Sequence, residues 1–155
     1  MRLAIVGLGN QGRKRHQVAG ADVVTTVDPV APTAEYRRVE DVPLDRYDAA
    51  CLCTPDDAKV ECLRYLLAQG KHVLVEKPLL ASDSEFDELS ELVERNRVTL
   101  YTAYNHRFEP HLVRVREHLQ RAVLGQVYLM RMFYGNGTAR DVRNSAWRDQ
   151  GWGVL

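Results

Sequence analysis

The sequence predicts an α/β fold built on a doubly wound parallel sheet. Three observations carry that reading. Strand-like and helix-like patterns alternate from the first residues onward, the order that gives parallel strands with helices on both faces. The apolar run Leu3-Ala4-Ile5-Val6 leads directly into Gly7-Leu8-Gly9-Asn10-Gln11-Gly12, a glycine-rich turn that opens a helix. A second apolar run then ends on an acidic residue, Asp28, 19 positions beyond Gly9.

The elements follow in chain order. Leu3 to Val6 is a short buried strand, and after Gly12 a helix runs to about Ala19, where Gly20 closes it. Asp22 to Val27 forms the second strand, and Pro29 and Pro32 keep the chain beyond Asp28 extended or turned. Tyr36 to Val39 reads as a short third strand. Asp48 to Thr54 is a buried strand ended by Pro55. Val60, Leu63, Leu66 and Leu67 then fall at helical spacing, with Gly70 as the cap. His72 to Val75 is the next strand and runs into Glu76-Lys77-Pro78. Ser82 and Glu85 form a capping box for a helix that carries Phe86, Leu89 and Val93 on one face. Val98 to Tyr104 adds a further strand, for a sheet of about six.

Past Arg107 the character changes. Leu112, Val115 and Leu119 mark an amphipathic helix, Gln126 to Tyr134 a long strand, and Gly135 to Leu155 an irregular stretch. The expected division is a first domain over residues 1–118 and the beginning of a second, truncated α/β domain over residues 119–155. Those last 37 residues fall below the ~40 that an unaided core needs, and a lone strand there would be an open edge.

Composition excludes several classes of function. Lys+Arg and Asp+Glu both total 21, so no global field recruits nucleic acid or an anionic membrane. No apolar run approaches the ~18 residues of a membrane span, and the chain begins with a strand rather than a signal peptide. Three cysteines without a C-x-x-C motif argue against a disulfide framework and for a reducing compartment. A soluble, cytoplasmic protein is expected. Cys51 and Cys53 alternate with Leu52 on a buried strand and read as packing residues. The five histidines show no zinc spacing, so no metal is expected.

The glycine turn carries the first chemistry. It points backbone N–H groups and the positive end of a helix dipole at one spot, which suits a pyrophosphate. Gly7 permits the tight turn, Gly9 lets the backbone approach phosphate, and Gly12 lets the helix pack on the strand, with Asn10 and Gln11 between them. This is the Rossmann fingerprint, and Asp28 stands where it places a carboxylate for a ribose 2′-hydroxyl. A carboxylate there repels a 2′-phosphate, so NAD is expected over NADP. Asp28-Pro29 as a simple turn after a strand is the plainer alternative, which the glycines upstream disfavour.

Glu76-Lys77-Pro78 carries the second chemistry. It sits at the carboxyl end of a strand, the edge where open α/β sheets bind ligands. A lysine ammonium beside a nicotinamide could hydrogen-bond a substrate hydroxyl and stabilise the alkoxide that develops as hydride leaves. Glu76 could orient that lysine or touch the nicotinamide ribose, and Pro78 restricts the lysine backbone to extended conformations. A surface ion pair is the alternative. Arg13-Lys14-Arg15 reads as a solvated helix face, with added positive charge near the phosphates as the alternative, and His16 as structural.

Gly7 to Gly12, Cys53-Thr54-Pro55, Gly70 to Pro78, and Asn105-His106-Arg107-Phe108 together closely resemble the glucose–fructose oxidoreductase/inositol dehydrogenase/MocA (Gfo/Idh/MocA) family. The resemblance covers essentially the whole chain. It implies an N-terminal Rossmann domain, a C-terminal α/β domain on a large open sheet, and hydride transfer to or from a secondary alcohol. The implied substrate is a small molecule, namely a sugar, sugar nucleotide or cyclic polyol. Lys77 becomes the lysine that faces the substrate hydroxyl. Thr54 and Pro55 line the ribose side of the groove, and Asn105 and Arg107 lie near its nicotinamide end. Leu124-Gly125-Gln126-Val127 leads into the first strand of the second domain. Trp147 and Arg148 match a segment that reaches back toward the cofactor in some members. Relatives associate through the second-domain sheet, so a homo-oligomer is implied. Lys59 stands where the family often has histidine, as a minor contact. The family's catalytic Asp and His normally follow a stretch like Gly151 to Leu155, beyond the sequence in hand. That leaves two alternatives: a dinucleotide-binding module or regulatory subunit without catalysis, and a glycosidase that uses NAD transiently.

Overall fold

The computed structural model describes residues 1–133. The chain divides into two compact units, Met1–Arg107 and a second that begins at Phe108. In the first, five strands alternate with three helices: β1 Leu3–Val6, α1 Asn10–Ala19, β2 Val23–Val27, β3 Ala49–Leu52, α2 Asp56–Ala68, β4 His72–Val75, α3 Asp83–Asn96 and β5 Leu100–Thr102. All strands are parallel, in the order β2-β1-β3-β4-β5.

Strand periodicity sorts the core into two layers. Ala4, Val6, Ala50 and Leu52 share one cluster with Leu63, Leu66 and Leu67 of α2 and Leu89 of α3. Ile5 and Cys51, which pair in register, are buried outside that cluster, on the face that α1 approaches. Leu63, Leu66 and Leu67 are fully buried, and each such burial is worth about 1.5–3 kcal/mol. Helix α1 works differently. Only Gly12 is buried along its length, so close backbone approach rather than a stripe of large side chains seats it.

The helix ends follow the sequence. Gly20 closes α1 at φ +54°. At the end of α2, Gly70 sits at φ +70°, its N–H donating to the Leu67 carbonyl while that of Lys71 donates to Leu66. Ser82 and Glu85 make the reciprocal capping box at the start of α3. On α3 itself Leu89 is buried, whereas Phe86 is largely exposed.

Two expected strands do not form. Between Tyr36 and Val39 only Tyr36 pairs, as a single bridge to Val27, because Val39 already begins a 3-10 turn. The sheet therefore has five strands rather than six. In the second unit, α4 spans Pro110–Gln120 with Pro110 in its first turn, where a missing N–H costs nothing. Residues 126–133 form no strand. A strand needs a neighbour for its N–H and C=O groups, and α4 is the only regular element among the described residues of this unit. Tyr128 and Phe133 are accordingly exposed. No helix among the described residues is long and apolar enough to cross a membrane.

Candidate functional site

Strand order fixes where a ligand can enter. The chain runs from β1 to β2 on one side and then crosses to β3 on the other, so a crevice opens at the carboxyl ends of β1 and β3. Gly7 lies on its floor at φ +91°, its N–H donating to the Val27 carbonyl at 2.7 Å. A Cβ at Gly7 would come within 2.7 Å of the Cys53 carbonyl oxygen and 3.1 Å of the Thr54 nitrogen. A Cβ at Gly12 would drive into the carbonyl oxygen of Gly7. Gly9 differs: it caps α1, no side chain caps the helix there, and nothing lies within 4 Å of where its Cβ would stand. Two glycines are thus required by the protein itself, and the third leaves open space before a helix N-terminus. Asn10 and Gln11 begin that helix and are exposed.

Asp28 closes the next strand over. Its Oδ2 accepts from the Leu8 N–H at 2.7 Å, and its Oδ1 accepts from Val30 and Ala31 at 2.9 and 2.7 Å. Burial works to raise this carboxyl, but the amides of Ala31, Leu8 and Val30, with Arg37 nearby, hold it below the ordinary carboxylate value. A carboxylate offers about four lone-pair sites, so one remains, on Oδ2. Arg37 bridges the carbonyls of Asp28 and Ala31 and places a cation beside the same corner.

Thr54 and Pro55 join β3 to α2 directly behind Gly7. The Thr54 Oγ1 is buried without a hydrogen-bond partner, a polar atom left unsatisfied in the crevice wall. At the end of β4, Glu76 is 9% exposed and its N–H donates to the Leu52 carbonyl. Its carboxylate does not orient Lys77. It accepts from Arg15 Nε of α1 at 2.7 Å, which takes Arg15 out of the solvated face expected for it. Lys77 is exposed, and among the described residues no hydrogen bond or ion pair holds its ammonium. The Lys77–Pro78 peptide is cis. Asn105 and Arg107 lie in a 3-10 turn after β5, both exposed. Trp147 and Arg148 lie outside the described residues.

Lys59, read from the sequence only as a minor contact at a position where the family often has histidine, has a structural part as well. It is 2% exposed, and its Nζ donates to Asp56 Oδ1 at 2.6 Å and to the Pro78 carbonyl at 2.5 Å. The signal was in the helical register: Lys59 lies four positions before Leu63 and seven before Leu66, on the buried stripe. A charged residue at such a position is either an error of register or a paired group.

The electrostatics favour an anion near Gly9. The first turn of α1 carries no acidic side chain, and a cleft of about 400 Å³ beside it is lined by Leu8, Arg13, His16, Thr26, Ala31, Pro32 and Thr33. A larger hollow along α3 is lined by Glu88, Glu91, Leu92, Glu94 and Arg95, and its excess of carboxylates has the wrong sign for phosphate. Cys51 and Cys53 lie under the crevice as neutral packing groups. Burial, with Glu76 and Cys51 adding to it, pushes the Cys53 thiol up to about 12. Among the described residues no group of His, Cys, Asp and Glu could hold a metal ion.

The model of an oxidoreductase family with an NAD-binding Rossmann fold, Gfo/Idh/MocA, matches residues 1–104. The chain belongs to that family. Among curated relatives, the rhizopine catabolism protein MocA of Rhizobium meliloti is 26% identical over 146 residues, 85% of this chain and 46% of the relative. Inositol 2-dehydrogenase of Rhizobium meliloti strain 1021 is 25% identical over 76% of this chain and 31% of its own length. The crystal structure of apo scyllo-inositol dehydrogenase from Lactobacillus casei superposes with a TM-score of 0.72 at 16% identity, covering 81% of this chain and 43% of that one, a likeness of fold. The chain thus spans about half or less of the length of the relatives it matches.

For this Gfo/Idh/MocA chain the residues present fit a dinucleotide. Gly9 leaves room before a helix N-terminus for a pyrophosphate. Asp28 keeps one acceptor site for a ribose hydroxyl, and the buried Thr54 Oγ1 needs a partner that the protein does not supply.

Proposed function

We propose that the protein is an oxidoreductase that moves a hydride between NAD and a secondary alcohol of a sugar, sugar nucleotide or cyclic polyol. The observation that carries this reading is Lys77, an ammonium without a partner among the described residues, on the same sheet edge as the glycine loop. Gly7, Gly9, Asn10, Gln11 and Gly12 cradle the pyrophosphate, and Asp28 accepts a ribose hydroxyl. Thr54, Pro55, Glu76, Asn105 and Arg107 border the groove toward the nicotinamide. Bound nicotinamide supplies the hydride acceptor or donor. Lys77 donates a hydrogen bond to the substrate oxygen and stabilises the negative charge that grows there as hydride leaves the carbinol carbon. Asp28 favours NAD over NADP through charge repulsion of a 2′-phosphate. Residues 1–118 make the cofactor domain in this reading, and a second domain that begins at residue 119 joins copies into a homo-oligomer in the cytoplasm.

The test uses the full-length protein, NADH titration by fluorescence, and turnover of NAD with a panel of cyclic polyols and sugars. Lys77→Met should cut turnover within the ~10²–10⁴-fold range of general acid–base catalysis. The NADH Kd should stay within about threefold, since Lys77 acts on the substrate oxygen. Unchanged turnover overturns the role of Lys77. NADH binding with no turnover on any substrate makes the protein a binding module, and glycoside cleavage with no net change in NADH makes it a glycosidase.

A further inference from the structure

We infer that Lys59 is a positioning residue for Lys77. This rests on the proposed function only for what Lys77 does, not for how it is held. Two loops border the crevice on this side, the one after β3 that carries Thr54 and Pro55 and the one after β4 that carries Lys77 and Pro78. The Lys59 ammonium ties the second of these loops to the first turn of α2, which directly follows the first loop. It stands on α2, takes Asp56 in the first turn of that helix as its counter-ion, and donates to the carbonyl of Pro78, one residue past Lys77. The residue before Lys77 is fixed as well, because Glu76 binds Arg15 and donates its N–H to Leu52. Lys77 is therefore an exposed side chain between two anchored backbone positions.

The burial makes this a specific arrangement. A lysine at 2% exposure persists only with its charge compensated and its protons placed. Both partners lie at the carboxyl edge of the sheet. Helix α2 already has Leu63, Leu66 and Leu67 to hold it, so the ammonium is not needed to seat the helix. Its distinctive product is the fixed distance between the loop of Thr54 and the loop of Lys77.

The test compares wild type with Lys59→Met, which keeps the bulk and removes the charge, and Lys59→Arg, which keeps charge and donors. Asp56→Asn serves as the milder second variant should Lys59→Met fail to fold. Three quantities are read: NADH affinity, acetylation of Lys77 by acetic anhydride with and without NADH, and amide exchange at Glu76, whose N–H is hydrogen-bonded. In Lys59→Met, or to a lesser degree Asp56→Asn, NADH affinity should stay within about threefold, while NADH protection of Lys77 falls by at least about fivefold. Exchange of the Glu76 N–H, which donates to the Leu52 carbonyl, should rise by at least about tenfold, and Lys59→Arg should recover at least half of both effects. Unchanged exchange and protection overturn the inference, as does equal loss of both in Lys59→Arg. If NADH fails to protect Lys77 even in wild type, the placement of Lys77 beside the nicotinamide fails instead, and the exchange data alone decide the role of Lys59.

Discussion

Arg15 of α1 reaches Glu76 at the end of β4, with Nε 2.7 Å from Oε1, although 61 positions separate them. Glu76 is nearly enclosed and Arg15 about one-third exposed. Removing one partner of a buried pair costs roughly 3–5 kcal/mol, and solvent at Arg15 puts this pair toward the lower end. Arg15→Leu should therefore lower unfolding free energy by about 3 kcal/mol in urea titration. Adding Glu76→Leu should recover part of that loss, since the stranded carboxylate is gone. A double variant no more stable than the single one would show that the pair is not the source.

The glycines separate fold from binding. Gly12→Ala forces a methyl into the Gly7 carbonyl and should destabilise by more than about 3 kcal/mol, the upper end for overpacking. Gly9→Ala meets nothing and should leave stability within about 1 kcal/mol of wild type. Its methyl would stand where phosphate approaches, so NADH affinity should drop by at least about tenfold. Thermal unfolding and fluorescence titration on the same preparations check both.

Asp28 has two duties, and one variant can part them. Three backbone amides, including Leu8 inside the glycine loop, depend on its carboxylate. Asp28→Ala should weaken NADH and NADPH alike because the loop loses its fastening. Asp28→Asn keeps one acceptor oxygen, enough for Val30 and Ala31, but turns its NH2 toward the Leu8 N–H. With the charge gone, the NADH-to-NADPH preference should narrow by about tenfold even as both bind more weakly. Wild type that binds NADPH more tightly than NADH would falsify the charge argument.

Acid stability has a local origin in Asp48. The side chain of Arg2, and then its backbone amide, hold the Asp48 carboxyl down to about 2, against 3.8 for the free group. A lowered folded value means stabilisation that is complete above 3.8 and is lost as pH falls through about 2. Urea midpoints at pH 5 and pH 2.5 should therefore differ less in Asp48→Asn than in wild type. Equal slopes in the two proteins would remove Asp48 from the acid response.

Local chemistry made most of the scaffold legible. The glycine turn, the box at Ser82 and Glu85, and the leucines of α2 each state their structure in short-range pattern, and all three stand as read. Strands were harder. Tyr36 to Val39 has strand-like composition but turns after a single bridge. Residues 126–133 are a largely apolar run but pair with nothing among the described residues. Pairing is a property of two segments, and a sequence window shows one. For the candidate site, residue type and spacing singled out Gly7, Asp28 and Lys77. The groups that fasten the backbone on either side of Lys77 are long cations with partners across the fold, Glu76 for Arg15 and the Pro78 carbonyl for Lys59; the sequence suggested a solvated face for the one and a minor contact for the other.

The missing Cβ of Gly7 has a mechanical consequence. With Cys53 and Thr54 this close to its backbone, the ends of β1 and β3 have no slack between them and behave as one fixed jaw. On this unit, adjustment to whatever occupies the groove falls to the opposite rim, to the exposed side chains of Lys77, Asn105 and Arg107.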